Sequence, residues 1–350
     1  MVKIDLITGF LGSGKTTFIR KIAKYLIDQG YNIGILENDY GAINVDMMLL
    51  SDLMGDKCEL EMISGGCDKE THRRRFRTKL IAMGMCGYDR VLVEPSGIYD
   101  VDEFFDVLRD EPLDRWYEIG NVFTIVDAAL EENLSDASKY LLASEVADAG
   151  AVVLSKVQNT TPEVITKTIA TLNEALAQVK CNRNIDQGVF AKNWDVLTDN
   201  DFEALIQAGY VQESYVKQNI AETDVYTSLY FMNLDFTKSQ LKSMVEKLFN
   251  DTSYGNIFRI KGFIVDEDIA ISKTGSGESA ENLNCVAAKN NRDSSCTVTE
   301  NTDSQEEIHW LELNATKNEM TFKPAPDGQK VLIVIGEYLN KTAIEAYFKI

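Results

Sequence analysis

No stretch of about 18 consecutive apolar residues occurs in the 350-residue chain, so it offers no candidate for a membrane-spanning helix. Basic residues are short against acids: 35 Lys and Arg against 55 Asp and Glu give a formal net charge of -20. A surface that acidic repels phosphate backbones and anionic headgroups, so neither nucleic acid nor a membrane is expected as a partner. Cysteine is sparse and scattered. The 6 positions (Cys58, Cys67, Cys86, Cys181, Cys285, Cys296) form no CxxC pair, as expected for reduced thiols in a cytoplasmic protein. The N-terminus, MVKIDLITGF, lacks the cationic start and cleavage region of a signal peptide. What is present is ordinary globular material, 45% hydrophobic and 26% charged. It can build a sizeable core, and the length suits two domains of roughly 100–200 residues each.

The first part of the chain alternates strands and helices. KIDLIT, NIGILEN, RVLVEP, NVFTIVDA and AGAVVLSK read as strands. TTFIRKIAKYLIDQG places Phe18, Ile22 and Leu26 on one helical face and stops at Gly30. VDEFFDVLRD and TPEVITKTIATLNEALAQV read as further helices. Such alternation predicts an α/β unit over 1–208, a mainly parallel sheet flanked by helices. A linker is expected over 209–224. Beyond it, over 225–350, the pattern changes to a smaller α+β domain with a mostly antiparallel sheet. Its strands are VYTSLYFMNL, NIFRIKGFIV, HWLELNA and KVLIVIGEY; its helices are TKSQLKSMVEKLFN and KTAIEAYFKI. A polar stretch at about 267–307, rich in Ser, Asn, Thr and Gly, reads as an insertion.

TGFLGSGKTT carries Gly9-x4-Gly14-Lys15-Thr16, the P-loop pattern, between a strand and an amphipathic helix. Glycines at Gly9, Gly12 and Gly14 let successive backbone N–H groups, through Ser13, Thr16 and Thr17, curl around a phosphate at the positive end of the helix. Lys15 would neutralise the β- and γ-phosphates, and the Thr16 hydroxyl would ligate Mg²⁺. The fold class that follows is a P-loop NTPase. In open α/β sheets ligands sit beyond the carboxyl ends of strands. ILENDYG ends one strand with Glu37 and Asp39, and VLVEPSG ends another with Glu94 and Gly97. A carboxylate there can join Thr16 at Mg²⁺ (Glu94) or position water (Glu37, Asp39), and the Gly97 N–H can meet the γ-phosphate.

Together, GFLGSGKTT, ENDYG, EPSG, TIVDA and LSKVQ resemble the CobW-like family of P-loop GTPases, which includes metallochaperones and metal-cofactor assembly factors. FRIKGFI, HWLELNA and VLIVIGEYL are similar to the family's C-terminal domain. The resemblance implies GTP with Mg²⁺, slow hydrolysis, and a role as a nucleotide-dependent switch in metal or metal-cofactor delivery to a client protein. Two departures stand out. The guanine-reading NKxD is here Ser155-Lys156-Val157-Gln158. The aspartate it lacks would accept from two guanine donors, whereas the Gln158 amide nitrogen opposes one, a mismatch worth about 1–3 kcal/mol. An amide also complements the adenine edge, so ATP stays open beside GTP. The family's CxCC becomes GGCDKE, in which Cys67 matches the first cysteine while Lys69 and Glu70 replace the others. One thiol cannot complete a soft-metal shell. Cys67 with His72 and an acid remains a candidate site for Zn²⁺ or Co²⁺; Cys58, Glu59, Glu61, Glu70 and Cys86 lie nearby without ligand spacing, and Cys285, Cys296 and His309 form a thinner set. The alternative reading is an NTP-gated assembly factor that binds a client and carries no metal.

KETHRRRFRTKL reads as a helix with Phe76, Leu80 and Met83 inward and Arg75 and Lys79 outward. Its remaining cations, Arg73, Arg74 and Arg77, have three uses open to them. They could pair with this chain's Asp100, Asp102 or Glu103, dock an acidic partner, or reach a γ-phosphate across a homodimer.

Overall fold

In the computed structural model the described residues are 1–39, 49–64, 69–95, 101–131, 134–217, 226–265, 309–325 and 328–348. The first unit is built on seven strands: β1 (Val2–Thr8), β2 (Ile33–Asp39), β3 (Cys58–Ser64), β4 (Arg90–Pro95), β5 (Tyr117–Asp127), β6 (Ala151–Ser155) and β7 (Val189–Phe190). They pair in the order β3-β2-β4-β1-β5-β6-β7, every neighbour parallel. β4 and β6 are buried along their whole length, because helices cover both faces of the sheet. On one face α1 (Lys15–Asp28) and the short α7 (Asp199–Leu205) pack Phe18, Ile22, Leu26 and Leu205 against Ile7, Ile35, Leu92 and Ile125. The other face is covered by α2 (Lys69–Gly84), α3 (Val101–Leu108), the one-turn α4 (Leu113–Trp116), α5 (Asp136–Ala147) and α6 (Pro162–Gln178). Phe76, Phe104, Leu142 and Leu176 of this layer meet Ile4, Leu6, Val93 and Val152.

β1 lies between β4 and β5, where the strand order reverses. That crevice, at the carboxyl end of β1, is where an open α/β sheet takes its ligand. Residues 209–217 run back along this unit: Val122 N–H donates to Gly209 O at 2.9 Å and Val216 N–H to Val179 O at 2.8 Å.

The second unit is antiparallel throughout. β8 (Tyr226–Met232), β9 (Asn256–Val265), β10 (Trp310–Thr316), β11 (Met320–Ala325) and β12 (Val331–Glu337) pair in the order β11-β10-β9-β12-β8. α8 (Lys238–Asn250) and α9 (Lys341–Phe348) cover one face through Leu241, Val245, Ile344 and Phe348, packed on Ile260, Leu313 and Val334. The opposite face carries Phe263, Val331 and Ile333 and packs on Leu11 of the first unit. Phe258 meets Phe10 edge to face with ring centroids 5.2 Å apart.

Six elements have no counterpart in the sequence reading: the short β7, α4 and α7, and three longer ones. β3 spells CELEMIS, whose acids disguise an edge strand. α5 is buried from Tyr140 to Ala147, so no apolar stripe stands out against a polar face. β11 ends in Lys-Pro-Ala at an outer edge, where proline is tolerated. The 267–307 insertion lies outside the described residues.

Candidate nucleotide site

β1 delivers the chain at Thr8, and seven residues later α1 begins at Lys15. Gly9, Gly12 and Gly14 all take positive φ, 144°, 78° and 100°. At Gly9 the reason is also steric: a methyl group there would lie 2.2 Å from Ile125 O. Lys15 Nζ donates to Gly9 O at 2.9 Å, folding the ammonium over the loop. Thr16 Oγ1 donates to Glu94 Oε1 at 3.0 Å, although 78 residues separate them. Glu37 and Glu94 are register partners on β2 and β4 and both are buried. The loop opens on a cavity of about 660 Å³ lined by Gly12, Gly14, Lys15, Thr16, Thr17 and Glu94 among others. A volume of that order suits a nucleotide. Ser13 Oγ is buried with no hydrogen-bond partner among the described residues. The hard oxygens of Thr16 and Glu94 are the donor type Mg²⁺ takes.

Sequence reasoning missed Glu145. This α5 residue has zero exposure and sits under the loop. Thr8 Oγ1 donates to Glu145 Oε1 at 3.1 Å. Burial pushes its carboxyl up to about 8, against the opposing pull of the Lys15 charge, the Thr8 hydroxyl and the Gly9 N–H. An acid inside an otherwise apolar helix was the available signal.

At the other end of the cavity, β6 stops at Ser155. Lys156 takes a left-handed turn, φ 55°. Its ammonium pairs with Asp127 Oδ2 at 2.8 Å and Glu319 Oε2 at 3.5 Å, joining the ends of β5 and β6 to the second unit. Gln158 is exposed on the following turn and lines the cavity. Trp194 forms a wall here, its ring 5.4 Å from that of Phe18. Its sequence neighbourhood carries no motif that would have singled it out.

The family model for the CobW/HypB/UreG nucleotide-binding domain matches residues 3–185. The chain belongs to that family. It is 31% identical over 164 residues to the zinc chaperone YeiR of Escherichia coli (strain K12), covering 47% of this chain and 49% of that protein. It is 28% identical over 167 residues to the zinc chaperone YjiA of the same organism, covering 44% and 49%. The chain thus spans about half the length of these curated relatives. Among solved structures, Zn(II)-bound YjiA GTPase from E. coli aligns over 99% of this chain and 98% of that one, at 19% identity and a TM-score of 0.34, too low to bear on the fold.

For this CobW-family chain, Cys67, Gly97 and the Asp39 side chain lie outside the described residues. His72 is fully buried on α2. Among the described residues no group of three or more His, Cys, Asp or Glu is arranged to hold a metal ion. The neighbours named from sequence have other engagements. Glu59 accepts from the Tyr88 hydroxyl, Glu61 pairs with Lys79 at 2.6 Å, and Glu70 pairs with Arg74 at 3.0 Å. Burial pushes the Cys58 thiol up to about 11. Exposed Cys86 donates to Ala82 O at 3.4 Å.

The basic run folds as expected, with Phe76, Leu80 and Met83 buried, but its ion pairs differ. Arg73 and Arg77 face Asp110 at 3.6 and 3.9 Å, and Arg77 also donates to Glu111 O at 2.5 Å. Asp102 is taken instead by Lys217 at 2.7 Å and Tyr215 at 2.8 Å. Asp110 and Glu111 lie in the turn after α3, which packs against α2; Asp100 lies outside the described residues.

Proposed function

We propose that this CobW-family chain is a GTP-binding switch that hydrolyses GTP slowly and uses the cycle to deliver or insert a metal or metal cofactor into a client protein. The observation that carries the reading is the convergence of Lys15, Thr16 and Glu94 in one cavity whose far wall belongs to the second sheet. Loss of a phosphate there would be felt by both units. The backbone from Gly12 to Thr17 would hold the phosphates while Lys15 neutralises their charge. Thr16 and Glu94 would hold Mg²⁺, which when bound supplies the charge that offsets the β- and γ-oxygens. Glu37 or Asp39 would orient the attacking water. The role of the relatives YeiR and YjiA as zinc chaperones supports the metal part.

A second reading keeps the switch and drops the cargo: Cys67 is followed by Asp68, Lys69 and Glu70, so a single thiol stands where several are needed. Gln158 likewise keeps ATP beside GTP.

Calorimetric titration decides between these. Metal-free protein is titrated with Zn²⁺ and Co²⁺, and then with GTP and ATP analogues. Binding tighter than about micromolar, roughly −8 kcal/mol, is expected for the delivered metal, and weaker binding overturns direct carriage. Lys15→Ala is expected to lose nucleotide binding and hydrolysis together; a Lys15→Ala variant that still turns over nucleotide would place the active site elsewhere.

A further inference from the structure

The face of the second sheet that meets the P-loop carries polar side chains beside its apolar cluster of Phe263, Val331 and Ile333. Alternation along β9 puts Arg259 on the side of Phe263, which packs toward the first unit, and Ile260 on the helix side. Arg259, Asn314, Thr316 and Lys323 line the same cavity as Gly12 and Lys15. The approach is close: a methyl group at Gly12 would sit 3.1 Å from Cγ2 of Thr316 and 4.0 Å from Cδ of Arg259. Arg259 Nε donates to Asn314 Oδ1 at 3.0 Å, a bond across neighbouring strands that orients the guanidinium plane.

Three other cations along the cavity are held by carboxylates. Arg20 makes a bidentate pair with Asp52, Lys21 pairs with Asp195 at 3.3 Å, and Lys156 pairs with Asp127 at 2.8 Å. Arg20 and Lys21 also belong to α1 itself. Arg259 is an arginine from the second unit set against the phosphate loop, and the Asn314 amide is one of its partners. Arginine suits this position because its planar fork of donors matches phosphate oxygens.

We propose that Arg259 contacts the terminal phosphate of the bound nucleoside triphosphate, in cis, and thereby ties the second sheet to the triphosphate state. The inference rests on the nucleotide reading above and adds a residue from outside the matched nucleotide-binding domain. An arginine supplied in this manner stabilises charge on the transferring phosphoryl group, so its loss falls on hydrolysis and on triphosphate affinity more than on diphosphate affinity.

The test compares wild type with Arg259→Ala, Arg259→Lys, Asn314→Ala and Lys15→Ala. GMPPNP and GDP affinities are measured with Mg²⁺, AMPPNP and ADP are run in parallel, and single-turnover hydrolysis is followed. Arg259→Ala is expected to lower the hydrolysis rate about 100-fold or more and to weaken GMPPNP about tenfold, with GDP within about twofold of wild type. Arg259→Lys keeps charge without the fork and should recover only part of the loss. Asn314→Ala leaves the arginine in place without its tether and should fall between wild type and Arg259→Ala. These two keep the test decisive should Arg259→Ala fold poorly. Unchanged hydrolysis together with an unchanged GMPPNP-to-GDP affinity ratio in the Arg259 variants overturns the proposal. Should Lys15→Ala abolish binding while the Arg259 variants match wild type, only this inference falls. Wild type that binds none of the four nucleotides brings down the nucleotide reading and the proposal with it.

Discussion

Glu145 is held away from water beneath a loop built to receive phosphate. Its carboxyl titrates near 8 in the fold because burial disfavours the charge, against an ordinary value of 4.5. Between those two values the folded chain keeps a proton that the unfolded chain has released. Stability is therefore full below about pH 4.5, falls as pH rises toward 8, and levels off above. Glu145→Gln keeps an oxygen for the Thr8 hydroxyl and the Gly9 N–H but cannot ionise, so it should remove that slope. Urea unfolding of both proteins at pH 5, 6.5 and 8.5 checks this. The wild type should lose on the order of a few kcal/mol more than the variant across the range. Parallel pH profiles would mean that the Glu145 carboxyl does not titrate in that window.

The parallel sheet carries its candidate nucleotide-site groups at one end and a structural ion pair toward the other. Near the start of β1 and β4, buried Asp5 pairs with Arg90 at 3.1 Å and accepts from Asn121 N–H at 2.7 Å and Nδ2 at 2.9 Å. Burial pushes the Asp5 carboxyl up, while Arg90 and Asn121 pull it down. Removing one partner leaves a buried charge uncompensated, so Arg90→Leu should cost about 3–5 kcal/mol in urea unfolding. Nucleotide affinity should stay at wild-type level because the loop lies at the far end of β1. A cost below about 1 kcal/mol would show the pair to be dispensable. What could be read ahead of the structure follows the same division. β1, β4 and β6 were legible because strands buried on both faces spell continuous apolar runs. The loop was legible because its residues are contiguous, and Glu94 because it ends a strand. β3 and α5 were not, one masked by Glu59 and Glu61 and the other by burial on nearly every side. Glu145, Trp194 and Arg259 reach the site across more than a hundred residues of chain; nothing local marks Trp194 or Arg259, and Glu145 is marked only as an acid within an apolar stretch.

Across the whole molecule, α5 connects the phosphate loop to the second unit. Near one end Glu145 accepts from Thr8; at the other, Ser135 and Ser138 donate to Glu337 of β12, the latter at 2.6 Å. Twelve helical residues span about 18 Å, and a helix of that length transmits displacement rather than absorbing it. Glu337 is 2% exposed, and its carboxylate also sits where the helix N-terminus favours negative charge. Glu337→Ala strips the acceptor from two hydroxyls and should cost about 1–3 kcal/mol of stability. The larger effect should be on communication. Hydrogen exchange followed with and without GDP should show wild-type amides of both β1 and β12 slowed by nucleotide. In Glu337→Ala the slowing should persist in β1 and weaken markedly in β12, where the packing of Leu11 on Val331 and Ile333 is the contact that remains. If β12 stays as nucleotide-sensitive without Glu337 as with it, the coupling runs through the cavity wall and Arg259 rather than along α5.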